Sequence, residues 1–296
     1  MARKVWIEAA LNGPWGTALQ PGIPADPAAI VADGIACAEA GAAIVHVHAY
    51  TEPDAPQTFD WQVYARIIEG IRAKVDVPVY PSIPSAGIGK GPETSDPLRR
   101  FSHTRELAAR GLLEWAVIDP GSVNFITTAS TADGPANVYL NPEDHIATGL
   151  RLAAEFRFHP SYAIYEPGFT RAGARLAAAI PDVPAPVYRF MFSDGFAWGF
   201  PPRDWALAAH VRLLEENAPA AAWMIGGLDV DIRPLVAAAV VAGGHVRVGL
   251  EDAPLGSPLG NRAWVEEAVR LVRAAGGEPA TAADVRAALR SAQPPR

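Results

Sequence analysis

Cysteine, long apolar runs and basic charge are all scarce in this sequence. Cys37 is the single cysteine in 296 residues, so an internal disulfide bond is excluded. No apolar run reaches the roughly 18 residues that cross a bilayer, and the apolar N-terminal stretch is too short for a secretion signal. We therefore expect a cytoplasmic protein with no membrane partner.

The charge balance is acidic. Asp and Glu total 32 against 25 Lys and Arg, which gives a net charge of -7 and a pI near 5.5. Since no basic stripe is available to displace counterions, a nucleic-acid partner is not expected. Hydrophobic residues make up 50% of the chain, enough for the core of one large barrel or of two smaller domains.

Strand-like and helix-like stretches alternate along the whole chain. Eight such pairs match the repeat number of a (β/α)8 TIM barrel. A doubly wound open sheet is the competing fold, but no G-x-G-x-x-G follows the first strand. The long loops follow strands, so we predict one domain over residues 1–296 that closes with a short helix at about 282–291. The predicted strands cover residues 5–11, 44–48, 77–81, 115–118, 161–165, 187–191, 222–225 and 245–249.

The stretch I-V-H-V-H-A-Y, which ends at Tyr50, alternates strictly between apolar and polar side chains. Alternate side chains of a strand point to the same face, so His46 and His48 lie together, about 6–7 Å apart. Two imidazoles at that distance can share one metal ion. The alternative is a half-buried strand whose histidines are hydrogen-bonded core residues.

A second alternating stretch, G-G-H-V-R-V-G-L-E-D, puts Arg247 and Glu251 on one face and ends at Asp252. In a closed barrel strand eight neighbours strand one, which neighbours strand two, so this face lies near His46 and His48. Two histidines and a glutamate form a three-ligand set with an open position, typical of a catalytic metal. Ligand type favours zinc, with iron, manganese and cobalt as alternatives. A simple Arg–Glu ion pair and a turn-capping aspartate are the other interpretation.

These two stretches resemble the β-keto acid cleavage enzymes, and the similarity runs over essentially the whole chain. Supporting stretches are E-A-G-A-A-I-V-H-V-H at 39–48, P-G-S-V-N-F at 120–125 and Y-E-P-G at 165–168. The resemblance implies a zinc-bearing barrel that converts a β-keto acid and acetyl-CoA to acetoacetate and a new acyl-CoA. It also implies a homo-oligomer, expected to be a tetramer.

The resemblance further implies roles for individual residues. Asp252 matches the general base, with Arg247 orienting its carboxylate, and Ser82 matches a substrate-contacting serine. Beside a guanidinium, the aspartate should be ionised near neutral pH and so available as a base. A divalent metal suits this chemistry because it stabilises the negative charge that develops on a carbonyl oxygen when a neighbouring carbon loses a proton. The residues that match the metal ligands are His46, His48 and Glu251.

Two further substrate contacts are expected from their positions after strands. The turn at Gly121 and Ser122, after the fourth strand, can offer backbone N–H groups to the same oxygen. Glu166, at the end of strand five, is a candidate for substrate contact. Both places lie where a barrel carries its active site.

Several positions depart from the family pattern. Trp15 replaces a glutamate that would hold a cationic substrate, so we expect a substrate that is not cationic, with an apolar or aromatic acyl chain. Tyr50 and Asp229 stand where the family has arginines, which leaves the use of CoA open. Glu8 stands where threonine is common. It either adds a carboxylate to the substrate site or partners a buried basic or hydroxyl group.

Two other functions compete with this interpretation. A metal-dependent barrel hydrolase of the amidohydrolase type is one, although such enzymes usually carry further histidines on strands five and six. This chain has none in those predicted strands. The other is a degenerate barrel that binds a metal or a small acid without turnover.

Overall fold

Eight parallel strands form one sheet that curves into a nearly closed TIM barrel, as the sequence predicts. The structure is a computed structural model that describes residues 2–53, 55–86, 92–127 and 138–291. The strands are β1 (Arg3–Val5), β2 (Ile7–Ala10), β3 (Ile44–Val47), β4 (Val79–Pro81), β5 (Trp115–Val117), β6 (Val123–Asn124), β7 (Val138–Tyr139), β8 (His159–Ile164), β9 (Val187–Phe192), β10 (Trp223–Gly227), β11 (His245–Val248) and β12 (Gly277–Pro279). The barrel order is β4-β3-β2-β11-β10-β9-β8-β5.

This order brings the two motif strands close to each other. β2 lies between β3 and β11, with Ala10 opposite His46 on one side and Ala9 opposite Val248 on the other. Aromatic side chains connect the two end strands, because the rings of Tyr80 on β4 and Trp115 on β5 lie 5.9 Å apart between centroids. The carboxyl ends of β3 and β11 therefore face the same mouth of the barrel.

Helices follow the barrel strands and cover their outer faces. Asp26 followed by Pro27 predicts the start of the first helix, and Gly41 predicts its end. The structure confirms both: the Asp26 side chain accepts from the backbone N–H of Ala29 at 2.9 Å, and Gly41 ends the helix at φ +118°. In the described ranges no helix has the length and apolar character to span a membrane. The helices are α1 (Pro27–Ala40), α2 (Trp61–Arg72), α3 (Pro92–Ser95), α4 (Pro97–Arg100), α5 (Ser102–Ala109), α6 (Glu143–Phe156), α7 (Gly168–Ala179), α8 (Asp204–Asn217), α9 (Val236–Val241), α10 (Asn261–Ala274) and α11 (Ala282–Ser291), with a 3-10 turn at Arg233–Leu235.

The predicted first strand, residues 5–11, is in fact two strands, β1 and β2. Trp6 separates them. Its backbone N–H donates to Nδ1 of His245 at 3.0 Å instead of to a strand carbonyl, and its ring stacks on that imidazole with centroids 4.0 Å apart. β1 therefore leaves the barrel and pairs with β12, a strand that the sequence analysis missed.

Two helices differ from what local patterns predict. The sequence predicts one helix over about residues 97–110, but the chain forms α4 and α5 there. Asn141 followed by Pro142 is typical of a cap and a first helical residue, which predicts Asn141 as the cap. This is wrong, because Pro142 occupies the capping position of α6. The Asn141 side chain instead accepts from Arg100 at 2.5 Å and donates to the carbonyl of Gly121 at 2.8 Å. The Asn141 side chain therefore pairs with a buried arginine and does not accept from the N–H groups of the helix start.

Asn261, the first residue of α10, ties three elements together. Its Oδ1 accepts from the backbone N–H of Leu250 at 2.7 Å, and its Nδ2 donates to the carbonyl of Leu11 at 2.7 Å and to Asp33 at 2.6 Å. We expect Asn261→Ala to lower the free energy of unfolding by about 2–5 kcal/mol, because two buried backbone groups lose their partners. Urea denaturation measures this. The exposed Asn217→Ala is the control and should change stability by less than about 0.5 kcal/mol; similar losses in both variants would contradict the prediction.

Candidate active site

Two histidines and one glutamate meet at the carboxyl ends of the barrel strands. His46 lies on β3 and His48 just follows it, with ring centroids 5.2 Å apart and planes at 86°. Nε2 of His46 is 3.4 Å from Oε2 of Glu251, and Nε2 of His48 is 3.4 Å from Oε1 of the same carboxylate. All three side chains are buried. We call these three residues the triad.

The spacing within the triad suits a metal ion better than hydrogen bonds. A separation of 3.4 Å exceeds the usual N–H···O range of about 2.7–3.2 Å, whereas ligands about 2.0–2.1 Å from a tetrahedral zinc lie about 3.3–3.4 Å apart. Among the described residues, Oε2 of Glu251 and Nδ1 of His46 have no hydrogen-bond partner. Because the ligand atoms of the triad all lie within 4.8 Å of one another, the three residues can hold a metal ion.

His48 is held in place by two side chains that the sequence analysis missed. Asn12 accepts from the His48 backbone N–H and donates to its carbonyl, both at 2.9 Å. Oε1 of Gln57 contacts Nδ1 of the ring. An amide oxygen only accepts hydrogen bonds, so Nδ1 of His48 carries the proton. Its Nε2 therefore presents a lone pair toward the centre of the triad. Both residues lie in loops, where strand alternation carries no signal.

Arg247 binds three carboxylates at once and is fully buried. Its Nη1 is 2.8 Å from Oε1 of Glu8, and its Nη2 is 2.9 Å from Oε1 of Glu251. Asp252 receives a bidentate contact, from Nε at 3.0 Å and from Nη2 at 2.9 Å. One guanidinium can do this because its five N–H groups diverge in one rigid plane. Glu251 and Asp252, neighbours in sequence, are therefore oriented by the same cation.

The surroundings drive the pKa values of these neighbouring carboxyl groups apart. Burial alone would raise the pKa of Glu251, but the neighbouring Arg247 guanidinium holds it well below its usual value. Burial raises the pKa of Asp252 above its usual value, and repulsion from Glu251 adds to this, while Arg247 opposes it. Asp252 is thus the stronger base of the two. Burial also lowers the pKa of His46 well below its usual value, so this imidazole is neutral, as a ligand must be.

Two glycines allow the strands to approach these carboxylates. Gly249 has φ +137°, and a Cβ there would lie 2.1 Å from the carbonyl oxygen of Ala10, so only glycine lets the end of β11 come this close to β2. A Cβ on Gly226 would lie 3.1 Å from Oδ2 of Asp252. The neighbouring N–H of Gly227 donates to that oxygen at 3.1 Å. A side chain at position 226 would therefore press on the Asp252 carboxylate.

Trp15 and Tyr50 fix the loop after β2 against the triad. The indole N–H of Trp15 donates to the backbone carbonyl of Glu251 at 2.8 Å, and the hydroxyl of Tyr50 donates to the carbonyl of Gly13 at 2.7 Å. A Cβ on Gly13 would lie only 2.7 Å from Cγ of Glu251. Trp15 and Tyr50, which were both predicted to contact substrate, therefore lie beside the triad. Their polar groups already donate hydrogen bonds to backbone carbonyls of the protein.

Glu8 lies on β2 and Ser82 directly follows β4, the two strands that flank β3. Besides Arg247, Oε1 of Glu8 accepts from the hydroxyl of Tyr80 at 2.6 Å. Glu8 is therefore the partner of a buried basic group and a buried hydroxyl, as in the second of the two alternatives. Ser82 is buried, and its carbonyl accepts from Nε2 of His103 at 2.8 Å. The backbone N–H of Ser82 donates to the carbonyl of Val47, the residue after His46.

The other predicted contacts are engaged with loops around the mouth. The carbonyl of Gly121 and the hydroxyl of Ser122 both accept from Asn141, at 2.8 Å each. Oε1 of Glu166 accepts from the backbone N–H of Gly199 at 3.2 Å. These residues order the loops that surround the triad, and none of these bonds reaches it.

A second buried ion pair, between Asp119 and Arg189, was not predicted as part of the site. Nη2 of Arg189 on β9 is 3.3 Å from Oδ1 of Asp119, which follows β5, and both side chains are at most 4% exposed. The hydroxyl of Tyr139 donates to the other carboxylate oxygen at 2.8 Å. Local patterns cannot pair residues that are 70 positions apart. The available signal was an arginine inside the apolar run V-Y-R-F-M-F.

Comparison with known proteins matches nearly the whole chain to one enzyme family. Residues 4–290 match the family model of the beta-keto acid cleavage enzymes. The chain is 28% identical to the 3-keto-5-aminohexanoate cleavage enzyme of Fusobacterium nucleatum over 296 residues, with 98% of each chain covered. It is 27% identical to the 3-dehydrocarnitine:acetyl-CoA trimethylamine transferase of Rhizobium meliloti, over 98% of this chain and 97% of that one.

Solved structures share the fold at lower sequence identity. A ternary complex of ObcA with a C4-CoA adduct and oxalate superposes with a TM-score of 0.72 at 17% identity. The similarity covers 91% of this chain and 68% of that one. The barrel architecture is thus common to both.

Arg247→Met tests whether one guanidinium supports the carboxylate network. We expect the free energy of unfolding of the metal-free protein to fall by about 3–5 kcal/mol, because three buried carboxylates lose their counter-charge. Chemical denaturation measures the loss. Arg212→Met is the matched control, since Arg212 makes an exposed pair with Glu216, and it should cost less than about 0.5 kcal/mol.

The same variant has a predicted pH dependence. The pKa of Glu251 lies below its ordinary value of 4.5 in the folded protein, so its stabilisation is present above that pH and is lost as the pH falls below it. The difference in stability between wild type and Arg247→Met should be largest near neutral pH and should narrow below about pH 4.5. A difference that stays constant over this range would contradict the assignment of Arg247 as the main counter-charge.

Proposed function

The chain belongs to the β-keto acid cleavage enzyme family, and on that premise we propose that it transfers a two-carbon unit from a β-keto acid to acetyl-CoA. The products are acetoacetate and a new acyl-CoA. The observation that carries the proposal is that a buried three-ligand triad and a separate basic carboxylate, Asp252, share one arginine. A relative named for acetyl-CoA supports the co-substrate.

We propose that the triad holds a divalent metal, with zinc as the first choice. Three ligands leave one position for substrate, and the same donor types also accept iron, manganese or cobalt. Arg247 is shared by three buried carboxylates, those of Glu8, Glu251 and Asp252, so a divalent cation brings the formal charge of this cluster to zero.

Asp252 is the proposed general base. When bound, the metal stabilises negative charge on the substrate's carbonyl oxygen. Asp252 accepts the proton from the carbon between the keto and carboxyl groups, and burial raises its pKa, which makes it a stronger base than an exposed aspartate. The bidentate contact with Arg247 and the N–H of Gly227 fix the direction of its carboxylate. Gly226 leaves the adjoining space free of a side chain.

We propose a keto acid whose acyl chain is not cationic. Trp15 adjoins Glu251, and its ring lies 6.2 Å from that of Phe196 between centroids. These two rings begin an aromatic wall. Further rings from the segments after β5, β8 and β9 continue this aromatic wall, with centroid distances between 4.9 Å and 6.2 Å. Such a wall favours apolar and aromatic groups. The rings of this wall belong to Phe125, Tyr139, Tyr165, Phe196 and Trp198.

We also propose a homo-oligomer located in the cytoplasm. Trp205 and Val241 are 58% and 81% exposed, and large apolar side chains on a surface are candidates for a subunit contact.

A hydrolase of the amidohydrolase type fits less well, because Ala163 and Arg189 lie at interior positions of β8 and β9 where such enzymes carry histidines.

A turnover screen tests the proposed reaction. Metal-loaded protein with acetyl-CoA should form acetoacetate from β-keto acids, measured by chromatography of the acyl-CoA and acid products. We expect apolar and aromatic acyl chains to react faster than chains that carry an ammonium or quaternary ammonium group. Metal-loaded protein that turns over none of these acids would support the non-catalytic barrel instead.

Paired variants test the division of roles within the site. Asp252→Asn should retain the metal and lose turnover by about 100-fold or more, because the base is removed while the triad stays intact. His48→Ala should lose both. Elemental analysis after dialysis measures the metal. Equal metal loss in the two variants, or no stoichiometric metal in the wild type, would contradict the assignment.

A further inference from the structure

Arg189 is a buried cation with spare hydrogen-bond donors. Its side chain is 3% exposed, and a guanidinium carries five N–H groups. Over the described part of the chain, its one recorded acceptor is Oδ1 of Asp119 at 3.3 Å, and its Nε has no partner. Leaving buried donors unpaired costs free energy, so the arrangement calls for another acceptor.

Asp119 does not fully compensate Arg189, because other donors already use its oxygens. Oδ1 also accepts from the backbone N–H of Ala163 at 2.6 Å, and Oδ2 accepts from the hydroxyl of Tyr139 at 2.8 Å. Arg247, by contrast, has three carboxylates within 2.9 Å. Of these two interior arginines, Arg189 is therefore the one with capacity for an anion.

Arg189 shares the barrel interior with the proposed base. On β9 it lies on the same face as Met191, whose sulfur is 3.3 Å from the Cβ position of Gly226, beside Asp252. Its partner in register on β8 is Ala163, whose methyl group occupies little space.

Tyr165 links the two charge clusters. Its ring lies 5.9 Å from that of Tyr139, whose hydroxyl donates to Asp119. It also lies 4.9 Å from the ring of Trp198, and the rings of Phe196 and Trp15 continue from there to the backbone carbonyl of Glu251. The Arg189–Asp119 pair and the triad therefore lie at the two ends of one run of aromatic side chains.

We propose that Arg189 binds the carboxylate of the β-keto acid and so holds the adjoining carbon toward Asp252. The inference rests on the proposed function, since it takes a β-keto acid as the ligand. A carboxylate matches the guanidinium fork with two parallel charge-assisted hydrogen bonds. It also supplies the acceptor that Nε of Arg189 lacks among the described residues.

The test compares two ligands that differ in one charge, acetoacetate and its methyl ester. Calorimetric titration of metal-loaded protein without acetyl-CoA should show that wild type binds the acid about 10- to 100-fold more tightly than the ester. The double variant Arg189→Gln with Asp119→Asn removes both charges of the pair, so no buried ion is left alone. It should bind the two ligands with similar affinity. If it keeps the preference for the acid, the inference is wrong.

Asp119→Asn alone is the matched control. It retains the guanidinium and should retain the preference for the acid, whereas loss of the preference in this variant would assign the effect to the pair and contradict a direct role for Arg189. Thermal unfolding and metal content establish that each variant is folded and loaded.

Kinetics separate this inference from the proposed function. If wild type shows acetyl-CoA-dependent turnover, the double variant should raise the KM for the keto acid by about 10- to 100-fold and leave the KM for acetyl-CoA unchanged. If wild type shows no turnover but its preference for acetoacetate disappears in the double variant, the proposed reaction fails while the carboxylate site stands.

Discussion

The Arg247 guanidinium is shared among Glu8, Glu251 and Asp252 in a place that solvent does not reach. Burying one charge among three opposite ones is tolerable only if each contact is short and well directed, because desolvation is costly. The barrel provides this, since β11 pairs with β2 and brings the arginine opposite Glu8. The positions of Glu251 and Asp252 both follow from that pairing.

Two carboxylates next to each other in sequence acquire different chemistry from this arrangement. Glu251 faces two imidazoles and a guanidinium, and the guanidinium lowers its pKa. Its Oε2 has no donor among the described residues. Asp252 lies beside that negative charge and is buried, which raises its pKa. Pairs of titratable groups whose pKa values are pushed apart are a common basis for separate catalytic roles. Here the proposed roles are metal ligand and general base.

The sequence predicts the parts of this site that depend on strand alternation and barrel closure. The shared face of His46 and His48 and their proximity to Glu251 follow from those two rules. Asn12 and Gln57 could not be predicted, because loop conformation decides where those amides point. For Glu8 the sequence allows two roles, and its contacts with Arg247 and Tyr80 match the second. The break at Trp6 depends on a tertiary contact, which a local pattern cannot contain.

The proposed chemistry requires a metal ion on the triad while Asp252 remains on Arg247. Anomalous diffraction from crystals of the metal-loaded protein, collected on both sides of the zinc absorption edge, shows whether both conditions hold. We expect one strong peak enclosed by Nε2 of His46, Nε2 of His48 and the Glu251 carboxylate, with Asp252 still in bidentate contact with the arginine. A peak elsewhere, or one in which Asp252 replaces Glu251 as the ligand, would contradict it.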